Sequence, residues 1–232
     1  MSFKVTILTL FPEMFPGVLG HSVVGRALES KLWTLDAQNM RDFGAGKHRS
    51  VDDTPYGGGA GMVIKPDVVS SAIARAKETN PSAKVIFLAP TGVRLTQPLV
   101  RELAEDDATD GLIILCGHYE GIDQRVIDAE VDLVVSLGDY VLSGGEPAAM
   151  VLLDAVVRLL PNVLGGDASL HEESFDLVDA EGAPLVEYPH YTRPETWQGV
   201  PVPEVLRSGN HAKIKAWRQA EAEKKTALLR NT

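Results

Sequence analysis

Leu112-Ile113-Ile114-Leu115-Cys116-Gly117-His118-Tyr119-Glu120-Gly121 sets an unbroken apolar run against an abrupt polar turn bounded by glycines. A short run ended in this way is the pattern of a buried strand. Three further runs share it: residues 4–10, which Phe11-Pro12 ends, Lys84 to Ala89, and Leu133 to Leu137. Helix-period stretches lie between them. Pro66 to Lys77 opens on proline and carries Val68, Val69, Ala72, Ile73 and Ala76 along one side. Thr96 is placed to cap the segment holding Leu99, Val100 and Leu103. Pro147 sits in a first helical turn whose stripe continues through Met150, Leu153, Val157 and Leu160 until Pro161 stops it. Strands alternating with helices predict an α/β domain with a mainly parallel sheet over residues 1–164.

The 232 residues are 44% hydrophobic and 23% charged, enough apolar material to offset the entropy of ordering, so a largely disordered chain is excluded. No apolar run spans a bilayer, and Met1-Ser2-Phe3-Lys4-Val5 enters a strand without a signal-peptide core, so the expected location is the cytoplasm with no membrane partner. One cysteine, Cys116, excludes an internal disulfide and any cysteine-built zinc site. The net charge is −10, yet Arg207 to Thr232 holds seven Lys/Arg against Glu221 and Glu223. That segment is a solvated charged helix or the one face that meets a polyanion. Between them, Gly165 to Thr192 carries seven acidic residues and no Lys or Arg. Residues 165–177 therefore read as a flexible linker, and 178–232 as a small helical domain with Asn210 as a cap and Ile214, Trp217 and Ala220 at helical spacing.

Tyr56-Gly57-Gly58-Gly59-Ala60-Gly61-Met62 is too glycine-dense for a helix or strand interior. It is a tight turn or a ligand contact, but not a phosphate loop, because no Lys-Ser/Thr pair follows. No dinucleotide fingerprint follows the first strand either. The loops Ala89 to Gly92, Cys116 to Gly121 and Gly138 to Glu146 all fall at carboxyl ends of strands, where open α/β sheets bind ligands. Three such loops rich in glycine and tyrosine predict one shared pocket. Cys116 reads as a small buried hydrophobe. His171-Glu172-Glu173 lacks the second histidine of a zinc helix, and no G-x-S-x-G supports serine hydrolysis.

Phe11-Pro12-Glu13-Met14-Phe15, Tyr56 to Met62, Leu115 to Asp123, Gly138 to Glu146 and Tyr188-Pro189-His190-Tyr191-Thr192-Arg193-Pro194 together resemble one family closely. These motifs are similar to those of the bacterial tRNA (guanine-N1-)-methyltransferases, which modify guanosine 37 beside the anticodon with S-adenosylmethionine. The resemblance implies a SPOUT-type parallel sheet with a deep trefoil knot, where periodicity alone indicates an open sheet. It also implies a homodimer, a helical C-terminal domain that binds tRNA, and activity aided by magnesium, for which the sequence shows no cage.

Carried onto matching positions, the cofactor residues are Pro90, Gly117, Tyr119, Glu120, Leu137, Gly138, Asp139, Tyr140, Val141, Leu142, Gly144 and Gly145. Glu120 also lies toward the substrate base, and Lys213, Lys215 and Arg218 toward the tRNA. The implied catalytic pair is Glu173, as the base that takes the N1 proton, and Arg158, as the charge partner of guanine O6. The family's usual base is aspartate, which keeps Glu172 and Asp176 as alternatives. Two other readings stand beside this one: a ribose 2′-O-methyltransferase, and a non-catalytic RNA-binding protein.

Overall fold

The structure, a computed structural model, describes residues 2–164 and 173–230. The chain divides into two compact units, Met1–Leu164 and Gly165–Thr232. In the first, five parallel strands stand in the order β2-β1-β6-β5-β7: β1 (Phe3–Thr9), β2 (Trp33–Asn39), β5 (Lys84–Arg94), β6 (Gly111–Cys116) and β7 (Leu133–Ser136). Two short strands, β3 (Asp52–Asp53) and β4 (Val63–Ile64), form a separate antiparallel pair that flanks the Tyr56–Met62 glycine segment.

Alternation along the strands supplies both faces of the sheet. Val5, Ile7, Ile86, Leu112 and Ile114 point to one side, under α1 (Ser22–Glu29), α3 (Gln97–Glu105) and α5 (Glu146–Val157). Leu8, Val85, Phe87, Ile113 and Leu115 point to the other, under α2 (Pro66–Thr79) and α4 (Gln124–Glu130). Every residue of β6 is buried, which is why it reads as a continuous apolar run.

Two features depart from the sequence reading. β2 escapes it because this edge strand, Trp33-Thr34-Leu35-Asp36-Ala37-Gln38-Asn39, mixes polar with apolar residues and buries only Trp33 fully. β5 does not stop at Ala89. Its pairing with β7 shifts register between Leu88 and Val93, so Ala89–Gly92 bulges out and the strand resumes to Arg94. Gly92 makes this possible, since a Cβ there would lie 2.5 Å from the backbone of Val134 and Val135.

In the second unit, β8 (Thr196–Trp197) and β9 (Val200–Pro201) form a hairpin, followed by α6 (Glu204–Arg207) and the long α7 (His211–Arg230). The Asn210 side chain accepts the Lys213 N–H at 3.1 Å, capping α7 as its sequence position predicts. Leu185, Tyr188 and Ala222 make a small core with Leu177 against them. Thr226 Oγ1 accepts the Val186 N–H at 2.9 Å and donates to the Ala222 carbonyl at 2.8 Å, stitching the chain before β8 to α7. Residues 173–177, expected as the end of a linker, instead fold onto this unit: the Phe175 N–H donates to the Leu185 carbonyl, and Leu185 N–H to Leu177 at 2.8 Å. The remainder of the expected linker lies outside the described residues.

Gly111 opens β6 with φ of +155°, and a Cβ on it would sit 1.8 Å from the Lys4 carbonyl oxygen of β1. Gly111→Ala should therefore force β1 and β6 apart and cost about 3 kcal/mol, the upper range of overpacking. A urea melt followed by the fluorescence of buried Trp33 checks it.

Candidate active site

The bulge within β5 and the loops following β6 and β7 enclose a cavity of about 410 Å³ at the carboxyl edge of the sheet. Of the twelve residues expected at the cofactor, eleven line it: Pro90, Gly117, Tyr119, Glu120, Leu137, Gly138, Tyr140, Val141, Leu142, Gly144 and Gly145. Asp139 does not. Its exposed carboxylate pairs with Arg94 at 2.7 Å, so the loop carries it outward instead of into the cavity. Ser136, Gln124 and Ile127 line the cavity as well, and no glycine-rich motif marked them.

Close backbone approaches build the walls. The Gly145 N–H donates to the Gly117 carbonyl at 3.0 Å, tying the loop after β7 to the loop after β6. A Cβ on Gly145 would lie 2.7 Å from the Cys116 Cα, so only glycine lets the two segments cross this closely. The Ser136 hydroxyl donates to the Gly138 carbonyl at 3.1 Å and turns the chain out of β7. Tyr119 holds φ of +59°, a left-handed conformation costly for a tyrosine and characteristic of functional loops. Beside it, Glu120 donates its N–H to the Met62 carbonyl at 3.0 Å, bringing the Tyr56–Met62 segment to the rim. Its carboxylate occupies the space a Cβ on Gly61 would need.

Behind this wall lies a polar cluster that the sequence reading did not single out. Glu146, in the first turn of α5, is 1% exposed. Thr9 at the end of β1 donates its hydroxyl to Oε1, and His118 Nε2 lies 2.9 and 2.8 Å from the two carboxylate oxygens. The Thr9 oxygen also accepts the Phe11 N–H at 2.9 Å, and the Phe11 ring packs 5.0 Å from that of His118. A helix N-terminus favours the acidic side chain. The signal in the sequence was an acid placed directly after Gly144-Gly145 at a helix start. Cys116, between these loops, has its thiol pKa pushed well up by burial and then by the Glu146 carboxylate. It stays protonated and unreactive.

None of the other expected site residues is among those lining the cavity. Arg158 follows α5, half-buried, its N–H donating to the Asp154 carbonyl at 3.4 Å. Glu173 and Asp176 are half-buried in the second unit, where the Asp176 N–H donates to the Glu173 carbonyl at 3.1 Å. Glu172 lies outside the described residues. Lys213 and Lys215 are exposed on α7. Arg218 differs, because its guanidinium sits 4.7 Å from the Tyr188 ring centroid and it is half-buried there. Among the described residues no three acidic, histidine or cysteine side chains converge as metal ligands.

The family described as tRNA (Guanine-1)-methyltransferase TrmD matches residues 3–232. The chain belongs to the tRNA (guanine-1)-methyltransferase family. The tRNA (guanine-N(1)-)-methyltransferase of Rhodospirillum rubrum is 54% identical over 230 residues, 99% of this chain and 92% of that protein. Its counterpart in Sphingopyxis alaskensis is 55% identical over 230 residues, with 99% and 90% covered. That of Wolbachia pipientis wMel is 53% identical over 222 residues, with 96% and 91% covered. Membership in this methyltransferase family sets aside the ribose 2′-O-methyltransferase and the non-catalytic RNA-binding readings. Among the described residues no helix is long and apolar enough to cross a membrane.

Removing the buried carboxylate should be costly to this methyltransferase. Glu146→Ala strips His118 and Thr9 of their shared partner, and it should lower stability by about 2–4 kcal/mol, the range for breaking a buried paired group. Glu146→Gln, which keeps an acceptor for Thr9, should lose less. Denaturant titrations of the two variants beside wild type check the order.

Proposed function

We propose that this enzyme transfers the methyl group of S-adenosylmethionine to N1 of guanosine 37 in tRNA, beside the anticodon. The observation that carries the reading is the single cavity at the strand ends, in a chain that belongs to a tRNA (guanine-1)-methyltransferase family. The cavity suits a nucleoside with an amino-acid arm. Gly117, Gly138 and Gly144 line it without side chains, so a ligand can approach the backbone closely, while Leu88, Leu142 and the Tyr140 ring give apolar walls. Bound there, S-adenosylmethionine supplies an electrophilic methyl on sulfur.

The chain's own residues do the rest. Glu173 accepts the N1 proton, N1 forms its bond to the methyl carbon as the carbon–sulfur bond breaks, and S-adenosylhomocysteine leaves. Arg158 stabilises the negative charge that gathers on O6. Glu120, at the cavity rim, holds the base edge, so that N1 and the methyl group stand in line. The first unit is the cofactor-binding domain and the second the tRNA-binding domain. The loop crossing at Gly145 and Gly117 supports a trefoil knot at the strand ends. Met14, Val18 and Val151 expose apolar side chains on the first unit, which supports a homodimer that covers them. The enzyme works in the cytoplasm, where tRNA is its substrate.

Digestion of methylated tRNA to nucleosides, with the site mapped by mass spectrometry, tests the reaction. The expected product is 1-methylguanosine at position 37, and methyl on another atom or position overturns the assignment. Glu173→Gln should slow single-turnover methylation by about 10²–10⁴-fold, the usual worth of general-base catalysis, with S-adenosylmethionine affinity unchanged by calorimetry. Glu173→Asp should keep substantial activity. A dead Asp176→Asn beside an active Glu173→Gln would move the base to Asp176.

Lys213 and Lys215 should contact RNA phosphates. Neutralising either should make the plot of log binding constant against log salt shallower by roughly 0.7–0.9. Equal slopes for wild type and Lys213→Ala would remove that lysine from the interface.

A further inference from the structure

The motif Tyr188–Pro194 is absorbed by neither the cofactor cavity nor the catalytic pair. In the second unit its first four residues, Tyr188 to Tyr191, form one wall of another cavity, of about 210 Å³, whose other walls are Leu206 and Ile214, Trp217 and Arg218 of α7. We propose that this cavity holds one unstacked nucleobase of the bound tRNA. The proposal rests on the reading of this enzyme as acting on tRNA.

The walls are aromatic and planar. The Tyr191 and Trp217 ring centroids stand 6.2 Å apart, and those of Tyr188 and His190 4.9 Å apart. The Arg218 guanidinium lies over the Tyr188 ring. Single-stranded RNA is read in this way, by bases stacked on aromatic rings and on arginine planes. A role as the unit's own core accounts for Tyr188, which is 5% exposed and packs with Leu185 and Ala222. It does not account for Tyr191, 48% exposed, or for the exposed ring of His190, which a core would have covered.

Charge favours the same occupant. Lys213 is one helical turn before Trp217, hence on the same face of α7, and Lys215 is exposed close by. Cations beside an aromatic slot suit a nucleotide, with its phosphate on the lysines and its base against the rings. In a chain of net charge −10 this is a local exception, so it selects where RNA lies.

The test uses the full chain and a transcribed substrate tRNA, with binding followed by fluorescence anisotropy. Tyr191→Ala should weaken binding by about tenfold or more, the worth of one base stack, while Tyr191→Phe, which keeps the ring, binds as wild type does. Because stacking releases no counterions, the salt slope of Tyr191→Ala should equal that of wild type. A series of tRNAs, each with one abasic anticodon-arm nucleotide, then locates the base. One abasic position should weaken wild type and leave Tyr191→Ala unaffected.

S-adenosylmethionine affinity and the thermal melt of Tyr191→Ala should match wild type, which separates lost stacking from lost folding. Equal tRNA affinity for Tyr191→Ala and wild type, or no abasic position that is silent only in the variant, overturns the proposal while leaving the methyltransferase reading intact. Wild-type protein that neither binds nor methylates tRNA overturns both.

Discussion

The buried Glu146 carboxylate is the constraint on which the strand-end loops depend. It accepts from Thr9 at the end of β1 and meets His118 in the loop after β6, while its own backbone begins α5. Three segments far apart in sequence are thereby fixed to one another by charge-assisted hydrogen bonds in a site almost closed to water. A carboxylate buried this deeply is expensive unless its oxygens are satisfied. Both are occupied, so the arrangement holds one geometry instead of an ensemble of loop positions.

Around that point, space and not flexibility explains most of the glycines. A Cβ on Gly144 would collide with the His118 ring and Glu146, and one on Gly145 with the backbone of Cys116. Neither needs a left-handed conformation; each is glycine because another segment passes through the volume a side chain would fill. The same close passage leaves this part of the cavity wall without side chains. Tight packing of the loops and a cavity wall built from backbone are one structural solution, in which Tyr119 accepts a strained φ.

Much of the first unit was legible because its pattern is local. β6 is apolar throughout since both its faces are covered, and Pro66 and Pro147 mark helix starts by the chemistry of their own backbones, as Asn210 does in the second unit through its side-chain oxygen. β2 was not legible, because an edge strand needs to bury only one side and its residues mix accordingly. The bulge in β5 was hidden for another reason: Ala89-Pro90-Thr91-Gly92 reads as a strand end, and only the partner strand β7 makes the chain resume pairing. At the cavity, glycine and tyrosine density marked the strand-end loops and the family resemblance named eleven of the lining residues, while the Asp139 carboxylate pairs with Arg94 outside that lining. Glu146 went unremarked because the value of a buried acid lies in Thr9 and His118, over a hundred residues and 28 residues away respectively.

The two units differ in how they can handle a polyanion. Outside the segment from Arg207 onward the chain is strongly acidic, so RNA phosphates are repelled from most of its surface. Yet the basic residues of that segment are not equivalent. Arg207 pairs with Glu195, Arg230 donates to the Pro184 carbonyl at 3.0 Å, Lys225 to the Glu187 carbonyl at 3.2 Å, Lys224 lies 3.8 Å from Glu221, and Arg218 is committed to the Tyr188 ring. These contacts leave Lys213 and Lys215, near the start of α7, as the exposed pair beside Trp217. The RNA contact proposed for Lys213 and Lys215 would concentrate attraction at one end of one helix, where the aromatic side chains also gather. A small number of cations placed against a repulsive background fixes orientation better than a uniformly basic surface, which would accept the RNA in many registers. With that contact, the net negative charge would serve recognition by removing the competing ways of binding.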